Sequence, residues 1–214
     1  MNLNIPYMET DNKLLNDAYR IAAGDIVGNI VYYQNGLLTE EKPCMIAGLD
    51  YNTPWTRDTA INIWNALSIL SPEVSKNTLL AVLEEEEGNI YIGGQYWDSI
   101  IWMIGAREYC RFHKDDNFYR LAFEAGRNSV HRLEEDEFDE EDGLFRGPAV
   151  YGDGIAAYPD KYSKCPNQGS GILEWVDYPG NPVYPKGYGI PMKALSTNCV
   201  YFKAYEILAE MAHA

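Results

Sequence analysis

Apolar residues recur at helical spacing through most of the chain. From about Asn12 to Tyr33, Leu14, Leu15, Ala18, Ile21, Ala22, Ile26 and Ile30 mark one face of a first helix. A polar turn at Asn35 and Gly36 and a loop containing Gly and Pro lead to Thr56. There Ile61, Ile63, Trp64, Ala66, Leu67, Ile69 and Leu70 face more than one side of a second helix, which predicts burial nearly all round. Ser71 as N-cap and Pro72 at the first helical position predict a third helix ending near Gly88, after the run Glu84 to Glu87. Beyond the Gly93-Gly94 turn a fourth helix opens at Asp98, a fifth at Asp115 or Asp116, and a sixth runs from about Pro191 to Ala212.

Six helices with little strand pattern predict an all-α protein of antiparallel helical hairpins, in one domain spanning 1–214. Between the fifth and sixth helices lies a long segment, about Phe138 to Gly189, rich in Gly, Pro, Tyr and Asp. A loop of that length is rare in a compact domain unless it is functional, so it is expected to form one wall of a binding site, with room for a short strand pair.

Composition narrows the partners. A net charge of −15 disfavours nucleic acid and anionic membranes, because phosphate neutralisation needs Lys and Arg clusters. No run of 18 or more apolar residues and no leader pattern appears, so a cytoplasmic location is expected. Cys44, Cys110, Cys165 and Cys199 lie far apart without CxxC spacing and read as reduced thiols. His113, His131 and His213 show neither metal-ligand spacing nor a nucleophile partner, and the acidic run Glu134 to Asp142 lacks calcium-loop spacing. No metal and no cofactor is therefore expected. The 17 Tyr and 5 Trp are often set beside Gly, Pro and Asp, a placement that suits sugar stacking and turns alike.

The densest chemistry lies at Tyr51-Asn52-Thr53-Pro54-Trp55-Thr56-Arg57-Asp58, where a loop enters the second helix. Trp55 offers a stacking face, Arg57 a forked donor and Asp58 a hydroxyl acceptor; capping by Thr56 or Asp58 is the competing account. The W-x-R-D segment resembles that of the six-hairpin glycosidases, the (α/α)6 superfamily that includes glucoamylases and family 63 glucosidases. The resemblance implies that Arg57 and Asp58 grip the sugar, and that the chain forms about half of an (α/α)6 toroid with one long active-site loop. Gln95-Tyr96-Trp97-Asp98-Ser99 is similar to the W-D-S element of the same enzymes, which adds Trp97 and Asp98 to the rim, although Asp98 serves equally as a helix cap. The segment from Asp142 to Gly154 is similar to D-G-L-F-x-G segments of that superfamily. It makes Asp142 and Tyr151 substrate contacts and Asp153 the general acid, against a plain turn-forming account of both Asp-Gly pairs. Lys193 and Asn198, entering the sixth helix, read as structural.

Two classes of function follow. The first is a glycoside hydrolase-like protein acting on a neutral oligosaccharide by the inverting acid/base mechanism that the resemblance implies. Its second carboxylate would lie outside these six helices, so a homodimer or a separate C-terminal half is expected to complete the barrel. The second is a non-catalytic carbohydrate-binding fragment of the same superfamily. A sugar epimerase, which depends on pocket histidines, fits the three scattered histidines poorly.

Overall fold

The computed structural model describes residues 5–94, 98–147 and 193–213. Helix α1 (Lys13–Gly28) is followed by the hairpin of β1 (Ile30–Tyr33) and β2 (Lys42–Met45). A helical run comprises α2 (Thr56–Asn62), a π-helical turn (Ile63–Leu67) and α3 (Ser68–Leu70), and α4 (Pro72–Ala81) comes next. The hairpin of β3 (Leu83–Glu86) and β4 (Asn89–Ile92) leads to α5 (Asp98–Phe112) and α6 (Asp116–Glu137). A two-residue pairing of β5 (Phe138–Asp139) with β6 (Leu144–Phe145) and helix α7 (Leu195–Ala212) complete the order.

The all-α expectation is corrected. Three small antiparallel sheets accompany the helices, and nothing among the described residues arranges them as part of a toroid. The first helix stops at Gly28 and Ile30–Tyr33 continues as strand, because β-branched and aromatic residues there suit a paired pleat. The third helix stops at Ala81, and the acidic run continues as β3. Glu87 and Gly88, at φ 51° and 81°, form a two-residue turn with both central residues left-handed, the geometry whose twist matches a hairpin. The second helix is also less enclosed than its apolar pattern suggests: Ile63 and Leu67 are buried while Trp64 and Ile69 are exposed.

Helix α5 is the hub of the core. Ile100, Ile101, Trp102, Met103 and Ala106 are buried on it, and α2, α6 and α7 pack around it. Gly105 sets the approach of α2, since a Cβ there would lie 2.8 Å from the Ala60 Cα. Gly105→Val is therefore expected to push α2 and α5 apart and cost about 1–3 kcal/mol, read as a lower midpoint in chemical denaturation. Tyr201 of α7 stacks on Phe145 with ring centroids 3.6 Å apart. Asn198 ties the same strand to α7: Phe145 N–H donates to its Oδ1 at 2.8 Å, and its Nδ2 donates to Phe145 O at 3.0 Å. By contrast α1 buries none of its residues, and Leu14 and Ile21 are exposed.

Asp115 starts α6 by accepting from Phe118 N–H at 3.0 Å, and it pairs with Lys76 of α4 at 2.5 Å. The Lys76 ammonium, more than the Phe118 amide, holds the Asp115 carboxyl below its ordinary value of 3.8. A carboxyl depressed in the folded state stabilises fully above its unfolded pKa and loses that contribution as pH falls through the folded value. Acid titration of stability is thus expected to show a loss below about pH 4 that Asp115→Asn lacks, that variant being less stable at neutral pH by about 1 kcal/mol.

Candidate functional site

The site is organised by the Gly93-Gly94 turn, which joins β4 to the segment before α5. Gly94 has φ 110°, and a Cβ on it would lie 2.7 Å from Thr56 Oγ1 and 3.1 Å from Asp98 Cβ. Only glycine allows the start of α2 and the start of α5 to close on this turn together. Thr56, rather than capping α2, donates its hydroxyl to Gly93 O at 2.9 Å. A Cβ on Gly93 would land on the Glu84 carboxylate and lie 2.8 Å from Val82 O, so the β3 carboxylate lies directly against the turn.

A second device supplies the opposite wall. Gly36, at φ 60°, sits so close to the C-terminal end of α4 that a Cβ would lie 2.6 to 2.7 Å from the carbonyl oxygens of Leu80, Ala81 and Leu83. Leu37 N–H donates to Leu80 O at 3.1 Å and Asn35 Nδ2 to Ala81 O at 3.2 Å, satisfying carbonyls that the helix end leaves open. The docked loop brings Tyr33 and Asn35 to the hollow that Trp55 also lines.

Between these walls is a chamber of about 280 Å3. Its lining includes Tyr33, Asn35, Thr53, Trp55, Glu84 and Asp98. Trp55 holds the extended backbone that precedes α2, its ring edge-on to Tyr51 at a centroid distance of 6.0 Å. Asp98 is buried in the first turn of α5, where the helix dipole favours a carboxylate. One space thus holds an indole, a phenol, an amide, a hydroxyl and two carboxyl side chains.

Trp55 and Asp98 are the residues expected from sequence that the fold brings into this chamber. Arg57 and Asp58 lie just beyond its lining, on the first turn of α2, with Arg57 Nε 3.8 Å from the Asp58 carboxylate. Asp142 is elsewhere: it sits in the turn between β5 and β6, accepts from Leu144 N–H at 3.2 Å, and is bridged to Lys193 at 2.6 Å. Lys193 also holds Asp139 at 2.8 Å, so this trio closes the hairpin onto the start of α7. Trp97, Tyr151 and Asp153 lie outside the described residues. No group of three or more His, Cys, Asp or Glu side chains with metal-binding geometry occurs among the described residues.

No family model, curated protein or solved structure matches the chain. No described helix is long and apolar enough to cross a membrane.

Glu84 is the functional candidate that sequence reasoning missed, together with Tyr33 and Asn35. Four consecutive glutamates read as a solvated helix end, since Glu is depleted in strands. The available signal was Glu87-Gly88 followed by Asn-Ile-Tyr-Ile, a two-residue turn before an alternating run.

Proposed function

We propose that the Gly93-Gly94 chamber binds a neutral saccharide and that the chain acts as a glycoside hydrolase-like protein by general acid/base chemistry. The observation that carries the reading is the meeting of Trp55, Asn35, Glu84 and Asp98 around one small cavity. A sugar ring presents an apolar C–H face, which packs on an indole, and a belt of hydroxyls, which donate to carboxylates and exchange hydrogen bonds with an amide. The likeness of Trp55, Arg57 and Asp58 to the sugar-gripping segment of six-hairpin glycosidases supports the same reading. Cleaving a glycosidic bond takes two carboxyl groups, one to protonate the leaving oxygen and one to activate water or attack. Within the described residues we assign that pair to Glu84 and Asp98.

Calorimetric titration with common mono- and disaccharides, run beside a panel of aryl glycosides, tests the proposal. Wild-type protein is expected to bind at least one sugar and to release the phenol from its aryl glycoside. Trp55→Ala is expected to weaken binding about tenfold, the worth of one aromatic contact. Binding without turnover would reduce the protein to a lectin-like module, and failure to bind any of the sugars would remove the carbohydrate reading altogether.

A further inference from the structure

Glu84 also lines a second hollow. A second chamber of about 230 Å3 opens beside Ile92, Ser99 and the α6 residues Ser129, Arg132 and Leu133. Glu84, Gly93 and Gly94 line both chambers, so the two share a wall made of one carboxylate and one glycine turn. Each chamber alone is smaller than the roughly 300–1,000 Å3 common for ligand sites, so neither by itself matches a ligand of several units.

The second chamber has a distinct charge. Glu84 and Asp136 are the exposed carboxylate residues of its lining, Glu137 being buried behind them, and Arg132 is its cation. That guanidinium is engaged: it donates to Glu86 at 2.6 Å and lies 3.6 Å over the Tyr91 ring. An anionic unit would meet two carboxylates and an arginine already neutralised, whereas a neutral unit finds acceptors for its hydroxyls and the side chain of Leu133 for its carbon face.

We infer that the two chambers are adjoining subsites of one cleft, and that the ligand is a saccharide of at least two neutral units whose linkage passes Glu84. This rests on the carbohydrate reading above and adds to it the length and charge class of the ligand. The placement sets Glu84 beside the bond between the two units, where an acid or base must stand to act on it.

Isothermal titration of the wild type and Leu133→Trp tests it, with glucose, galactose and xylose set against maltose, cellobiose, lactose and xylobiose, and with glucuronic acid as the anionic probe. The best-bound disaccharide is expected to bind at least about tenfold more tightly than its own monosaccharide, and glucuronic acid to gain nothing from the second chamber. Leu133→Trp, which fills that chamber, is expected to erase the tenfold advantage and leave monosaccharide affinity within about twofold. Asp136→Lys, at the exposed side of the chamber, is expected to lower disaccharide affinity in the same selective way and serves if the tryptophan variant fails to fold. A disaccharide no tighter than its monosaccharide, or an advantage that survives in a folded variant, overturns the two-subsite inference while leaving the first chamber's role intact. Absence of binding by every sugar overturns the carbohydrate reading, and this inference with it.

Discussion

Trp102→Ala is expected to cost about 3–5 kcal/mol, a large share of the usual 5–15 kcal/mol of total stability. Trp102 is fully buried in the second turn of α5, its indole N–H donates to Leu79 O at 3.3 Å, and its ring lies 6.4 Å from that of Phe118. Truncation removes the packing that links α4, α5 and α6 and leaves a cavity at the hub, where neighbouring helices on several sides limit collapse. Trp102→Phe keeps most of the apolar area and loses the hydrogen bond, so it is expected to cost about half as much. Urea denaturation followed by circular dichroism reads both. A loss below about 1 kcal/mol for the alanine variant would show that α5 is not the hub.

Glu84→Gln is expected to lower turnover of the aryl glycoside by about 10²–10⁴-fold while changing sugar affinity by only a few-fold. Glutamine keeps the shape that lies against Gly93, so the hairpin and the chamber wall are preserved, and only the proton-transferring carboxyl is removed. Asp98→Asn is expected to have a comparable effect on turnover. Because Asp98 is buried at the start of α5, its thermal unfolding must be measured alongside. A Glu84→Gln protein that turns over as fast as wild type would exclude Glu84 from the chemistry and direct attention to Asp153.

The helices that carry the core were legible because their apolar residues repeat at 3.6 and their starts are marked. Asp115 caps α6 and Pro72 opens α4 as their positions imply. The sheets were not legible for a physical reason: each is a hairpin of two to four residues per strand, too short for a period-two pattern to stand out. Their pairing is decided by turns and tertiary docking instead, as Gly36 against the end of α4 shows. Two residues of the chamber were visible in the same way. Trp55 and Asp98 sit at helix starts, where sequence signals are strong, while Glu84 and Tyr33 arrive from hairpins. Asp142, read as a sugar contact, answers to the nearby cation Lys193, 51 positions along the chain, a pairing that local sequence does not reveal.

On the proposed function, saccharide enters between Trp55, Glu84 and the Gly93-Gly94 turn. Two-dimensional ¹H–¹⁵N NMR of the labelled protein, titrated with the best-bound sugar from the calorimetric panel, tests it most directly. Saturable shifts are expected on the Gly93 and Gly94 amides, the Trp55 indole and the Asn35 side-chain amide, with α1 and the Lys193–Asp142 corner unchanged. Shifts confined to those remote positions, or spread evenly without saturation, would contradict it.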